Sequence, residues 1–182
     1  VAAYLSILLP AGAVLNVSGT NLFRHAAVTN AGNATFTGGS GARLNLDQNG
    51  YYVNTPSGTT TILGNYVFGY STSGRVDNQG TWINQGPSMV SIERSGASGG
   101  EFKSTGLFEI RDATFKLLNP PSDFQNSFNS SVRLHNGIFD SGTYLLSFVQ
   151  GKFLEGNGTV LGPLRVDGGK IDPQASAIGN PP

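Results

Sequence analysis

Eleven carboxylates are spread singly along the 182 residues, and only Glu109 and Asp112 stand within three positions of each other. A glycosidase needs two carboxylates converging across a sugar, one to protonate the leaving oxygen and one to attack or to activate water. Spacing in this sequence supplies no such pair, so separate turns of a fold would have to bring the groups together. Asp77, Asp140, Arg75 and Arg133 are the side chains a polysaccharide-degrading site would draw on. Isolated, solvated charges on outward strand positions account for them more simply. His25 and His135 lie far apart, and with no cysteine to join them they form no zinc pattern. No catalytic residue, cofactor or metal is expected, and the chain reads as a non-enzyme.

Three further patterns invite chemistry. Gly38-Gly39-Ser40-Gly41-Ala42-Arg43 superficially matches a glycine-rich calcium repeat, but Arg43 stands where the carboxylate ligand belongs. Both this stretch and Gly96 to Gly100 read as tight turns. Thr35-Phe36-Thr37 and Thr59-Thr60-Thr61 suggest an ice-binding array, although the two clusters show no regular period in the sequence. Among the aromatic residues, Phe36, Phe102, Phe108, Phe115, Phe139, Phe148 and Phe153 suit stacked core positions. Tyr51, Tyr52, Tyr66, Tyr70 and Trp82 alternate less clearly, and gathered on one exposed face they would stack on sugars or form a subunit contact.

Positioning any of these groups falls to β-structure. Apolar residues alternate in pairs such as Leu44/Leu46, Val90/Ile92, Phe108/Ile110, Phe115/Leu117 and Leu164/Val166, whereas helical periodicity is nearly missing. A short phrase recurs as Val28-Thr-Asn30-Ala-Gly32, Val76-Asp-Asn78-Gln-Gly80, Trp82-Ile-Asn84-Gln-Gly86 and Phe102-Lys-Ser104-Thr-Gly106, with shorter echoes at Asn136-Gly137 and Ser141-Gly142. It reads as a strand followed by a corner, with Gly and Asn taking positive φ where the chain turns. The intervals are uneven: Val28 to Val76 is 48 residues and Val76 to Phe102 is 26. The expected fold is all-β, a right-handed parallel β-helix with uneven rungs of roughly 20 to 25 residues. A β-sandwich or jelly roll is the alternative. Phe124 and Phe128, four apart after Pro120-Pro121, suggest one helical turn or an ordered excursion.

Composition supports this class and removes others. Charged residues are only 12% of the chain, Gly numbers 26, and eleven basic and eleven acidic side chains cancel. Such balance carries no footprint for nucleic acid or an anionic membrane. The apolar stretch Val1 to Leu9 is shorter than the about 20 residues of a membrane span. Absence of cysteine tilts the expectation towards a bacterial exterior, where proteins commonly manage without disulfides.

The run Leu154-Glu-Gly-Asn-Gly158-Thr-Val160-Leu-Gly162-Pro-Leu-Arg-Val166-Asp-Gly168-Gly169-Lys-Ile171-Asp-Pro173 resembles the rungs of autotransporter-type passenger domains and related large bacterial surface proteins. In those, a Gly-x-Gly-Thr-Val-x-Gly stretch leads into a valine-rich strand and a Gly-Gly corner. The resemblance implies a right-handed β-helix at the cell surface, serving as a stalk, adhesin or structural layer.

Three regions are expected: 1–17, an apolar strand exchanged with or stacked on a neighbouring subunit; 18–173, the β-helix; and 174–182, a tail or connector. The expected function is that of an extracellular structural protein, a subunit of a surface filament, sheath or adhesin stalk. Assembly would use Val1, Tyr4, Leu5, Ile7, Leu8, Leu9, Val14, Leu15 and Val17, with the chain itself as partner in a head-to-tail polymer. The alternative is a carbohydrate-binding or polysaccharide-degrading module, with host or surface glycans as partners. Asn16, Asn33, Asn129 and Asn157 begin sequons.

Overall fold

Short strands with one apolar face cannot bury that face alone, and this chain solves the problem by coiling. The structure, a computed structural model, describes residues 5–71, 73–94, 100–118 and 128–173. The described residues wind as a parallel β-solenoid of about six turns. The first turn comprises β1 (Leu5–Leu9), β2 (Val14–Ser18) and β3 (Thr20–Arg24). The second comprises β4 (Ala26–Asn30), β5 (Asn33–Thr37) and β6 (Arg43–Asp47). β7 (Tyr51–Asn54), β8 (Thr59–Leu63) and β9 (Tyr66–Tyr70) form the third, and β10 (Arg75–Asn78), β11 (Thr81–Gln85) and β12 (Met89–Arg94) the fourth. The fifth holds β13 (Glu101–Ser104), β14 (Leu107–Arg111) and β15 (Thr114–Leu118). Phe128 then bridges to Ser104, and the chain continues through β16 (Ser131–His135), β17 (Ile138–Asp140) and β18 (Leu146–Val149). β19 (Phe153–Gly156), β20 (Thr159–Leu161), β21 (Leu164–Asp167) and β22 (Lys170–Asp172) close the described coil.

Strands one turn apart pair in parallel and build three long faces. Face 1 runs β1-β4-β7-β10-β13, face 2 runs β2-β5-β8-β11-β14-β16-β19-β22, and face 3 runs β3-β6-β9-β12-β15-β17-β20, while β18 pairs with β21. Adjacent strands in these sheets are parallel throughout, which excludes the sandwich and jelly roll, both antiparallel designs. Within 1–17, the described part belongs to the first turn: Leu5 to Leu9 pairs with Ala26 to Asn30, and Val14 to Ser18 with Asn33 to Thr37, on its own chain. The excursion expected around Phe124 lies outside the described residues; Phe128 itself is buried.

Register places like residues in columns. Inward on face 1 stand Ile7, Val28, Tyr52, Val76 and Phe102, and inward on face 2 stand Leu15, Ala34, Thr60, Trp82, Phe108, Val132, Leu154 and Ile171. The core is aromatic. Ring centroids follow one another from Tyr52 to Phe36 at 5.4 Å, Phe36 to Phe68 at 5.2 Å, Phe68 to Trp82 at 4.8 Å, Trp82 to Phe108 at 5.6 Å and Phe108 to Phe115 at 5.1 Å. Large rings fill the wide lumen, and their edge-on, tilted and stacked contacts add to plain area burial. Phe153 departs from its expected core place: it faces outward on face 2, under the Arg133 guanidinium.

The recurring phrase has two physical meanings. Asn30, Asn54, Asn78 and Ser104 are one column at the end of face 1, all fully buried. Each amide donates to the next turn, Asn30 Nδ2 to Asn54 Oδ1 at 2.8 Å, Asn54 Nδ2 to Asn78 Oδ1 at 2.8 Å and Asn78 Nδ2 to Ser104 Oγ at 3.1 Å. Ser104 continues the ladder to Ser130 at 2.5 Å. The glycine that follows does not take positive φ at Gly32, Gly80 or Gly106. It is required by close approach, since a Cβ at Gly80 would run into the carbonyl oxygens of Thr55 and Gly58 in the turn before. The positive-φ explanation holds for Gly86 (φ 88°), Gly142 (φ 60°) and Asn136 (φ 52°).

Candidate functional site

Because side chains alternate along each strand, every outward column is a potential site. Most outward charges on the described residues are engaged with neighbours one or two turns away. Arg24 meets Asp47 at 3.1 Å, and Lys116 meets Asp140 at 3.3 Å. Arg43 reaches over Gly69 to Glu93 at 2.8 Å, along a path that a side chain at position 69 would crowd. The densest cluster is on face 2, where Glu109, Arg133 and Glu155 stack in one column. Arg133 bonds Glu109 at 3.0 Å and Glu155 at 2.5 Å, and Arg111 also pairs with Glu109. Glu155 and Glu109 raise the Arg133 pKa above its ordinary value, Glu155 contributing most. Together with His135 these groups line a recess of about 320 Å³. Its carboxylates are held by guanidinium groups, an arrangement that fastens turns together.

The polysaccharide-degrading set does not converge. Arg75 and Asp77 pair on face 1 at 2.7 Å, Arg133 belongs to face 2, and Asp140 to face 3. His25 occupies the bend between β3 and β4, and His135 ends β16; no cluster of three potential ligands occurs among the described residues.

Four of the five aromatic residues proposed for sugar contact are corrected by burial. Tyr52, Tyr66, Tyr70 and Trp82 point inward and lie in the core, while Tyr51 alone is partly exposed, at 37%. Tyr52 hydroxyl bonds Thr60 Oγ1 at 2.5 Å, and Trp82 Nε1 donates to Asn84 Oδ1 at 3.0 Å. Burial pushes the phenols of Tyr52 and Tyr66 up from their ordinary value. Thr60 and Asn84 thus give the inward Tyr52 and Trp82 their polar partners inside the coil.

The threonine clusters prove to be in register: Thr35 stands beside Thr61, and Thr59 between Asn33 and Thr81. The array stops as Ile83 and Glu109 continue the Thr35 column. Of the assembly residues, Val1 and Tyr4 lie outside the described residues. Leu5 (59% exposed), Ile7, Leu8 and Val14 are exposed, Leu15 and Val17 are partly buried, and Leu9 is buried.

Sequence reasoning missed a groove at the corner between faces 2 and 3. It has a volume of about 500 Å³ and is lined by Asn65, Ser88, Met89, Asp112, Asn136 and neighbours. Asn65 Oδ1 accepts the Met89 amide at 2.7 Å, Asn136 Nδ2 donates to Asp112 Oδ1 at 3.3 Å, and Asn157 Nδ2 donates to Asn136 Oδ1 at 2.8 Å. The signal was present: Asn65, Met89 and Asn136 are separated from their partners by one turn of 21 or 24 residues.

Comparison of the chain with family models, with curated proteins and with solved structures finds no match.

Proposed function

We propose that this chain is a structural element of an extracellular assembly, a filament, sheath or adhesin stalk in which its end turns stack on further β-turns. One observation carries the reading. Columns buried throughout the coil remain uncovered at both ends among the described residues. At one end Ile7 is 38% exposed although Val28 above it is buried. At the other, Leu164, Val166 and Ile171 are exposed although their column neighbours Leu146, Phe148 and Leu154 are buried. Apolar surface of that kind is removed from water by stacking. Parallel strands make the contact heterologous: the last turn of one copy offers its edge to the first turn of the next, and such contacts propagate.

The resemblance of Leu154 to Pro173 to surface-protein rungs supports an exterior location, and ion pairs running along the faces suit a load-bearing rod. The partner is a second copy of the chain. Sedimentation velocity over a concentration series tests this. Wild-type protein sediments as species that grow with concentration, and Ile7→Lys or Val166→Lys, each placing a charge on an end face, returns it to monomer. Assemblies unaffected by both substitutions would refute end-to-end stacking.

A further inference from the structure

The groove between faces 2 and 3 plays no part in end-to-end stacking. Successive turns contribute Asn65, then Ser88 and Met89, then Asp112 and Thr114, then Asn136. With turns about 4.8 Å apart, it extends along the coil axis for about 14 Å. Ser88 is 7% exposed, and its Oγ has no hydrogen-bond partner among the described residues. A buried hydroxyl is unfavourable until a water or a ligand completes it, and a serine hydroxyl swings between rotamers at little cost. Asn65 and Asp112 are exposed, and with Oδ1 of each engaged within the protein, Asn65 Nδ2 and Asp112 Oδ2 are the atoms turned to a ligand.

The lining therefore offers a donor, a hydroxyl and an acceptor in line, one turn apart. Sugar hydroxyls both donate and accept, so they satisfy all three groups. Half-exposed Met89 and the neighbouring Ile138 give apolar surface for the C–H faces of a sugar ring. The lining holds one carboxylate and no cation, which disfavours uronate, phosphate and sulfate polymers. A straight groove crossing several turns fits a chain better than a single sugar.

We propose that this groove binds an uncharged polysaccharide lying along the solenoid axis. The test is affinity electrophoresis of the full chain in gels containing laminarin, dextran or xyloglucan, with polygalacturonate as the anionic probe. At least one neutral polymer retards the protein and polygalacturonate does not. Ser88→Ala weakens that binding by about tenfold, the effect of one lost hydrogen bond, while leaving the melting temperature unchanged or slightly raised. Amide-resonance mapping with the retarding polymer places the shifts at Asn65, Asp112 and Asn136. Absence of retardation by all three neutral polymers, unchanged binding by Ser88→Ala, or shifts confined to another face would each overturn the proposal.

Discussion

Replacing Asn54 by alanine removes the middle of the buried amide ladder. Three hydrogen bonds disappear: the one accepted from Asn30 at 2.8 Å, the one donated to Asn78 at 2.8 Å and the one donated to the Thr81 carbonyl at 3.0 Å. Asn30 Nδ2 retains the Thr59 carbonyl, so it is only partly orphaned. Asn78 Oδ1 loses its donor inside the protein. At about 1–1.5 kcal/mol for each bond, the loss comes to about 3–4.5 kcal/mol. For a chain of this size that lowers the melting temperature by about 10 °C. Asn16→Ala, an exposed outward position in β2, serves as the control and stays within about 0.5 kcal/mol. Urea unfolding followed by circular dichroism measures both, and amide exchange at Thr81 reports the local opening. A cooperative transition within 1 kcal/mol of wild type would show that the ladder contributes little and that aromatic packing alone sets stability.

Other consequences follow from particular contacts. Gly80→Ala forces a methyl group against the Thr55 and Gly58 carbonyls and costs about 1–3 kcal/mol, whereas Gln79→Ala next to it is mild; thermal melts compare the two. Arg133→Met leaves Glu109 with Arg111 alone and costs about 1–2 kcal/mol, less in high salt, as unfolding at two ionic strengths will show. The folded pKa of Tyr52 and Tyr66 lies above the unfolded value of 10.0. Their contribution to stability is therefore complete below pH 10.0 and is lost as pH rises through the folded values, because only the unfolded chain releases the protons. Absorbance titration should show these two phenols ionising only as circular dichroism reports unfolding; free titration in the folded protein would contradict their burial.

Much of the coil was legible because alternation is a local property. Leu44/Leu46, Val90/Ile92, Phe108/Ile110 and Phe115/Leu117 all face the core as their spacing implied. The period was hidden by one turn. Tyr52-Val-Asn54 repeats the phrase between Val28 and Val76, but Pro56 and Ser57 lengthen the corner before Gly58, so two turns of 24 residues looked like one gap of 48. The amide ladder and the glycine stacking are contacts between turns, and a single phrase does not display them. The same reason hid the groove: Asn65 and Asp112 acquire meaning only beside Met89 and Asn136. Tyr52 and Trp82 were misplaced because hydroxyl and indole groups suggested a wet surface, whereas Thr60 and Asn84 supply their partners inside.

The central claim is that end turns continue one another's sheets. Electron microscopy of concentrated protein, combined with diffraction from aligned specimens, tests it most directly. The account predicts filaments with a repeat of about 4.8 Å along their axis, the strand spacing carried across each junction between copies, and their loss in Val166→Lys. Monomers at every concentration, or filaments without that axial repeat, would contradict it.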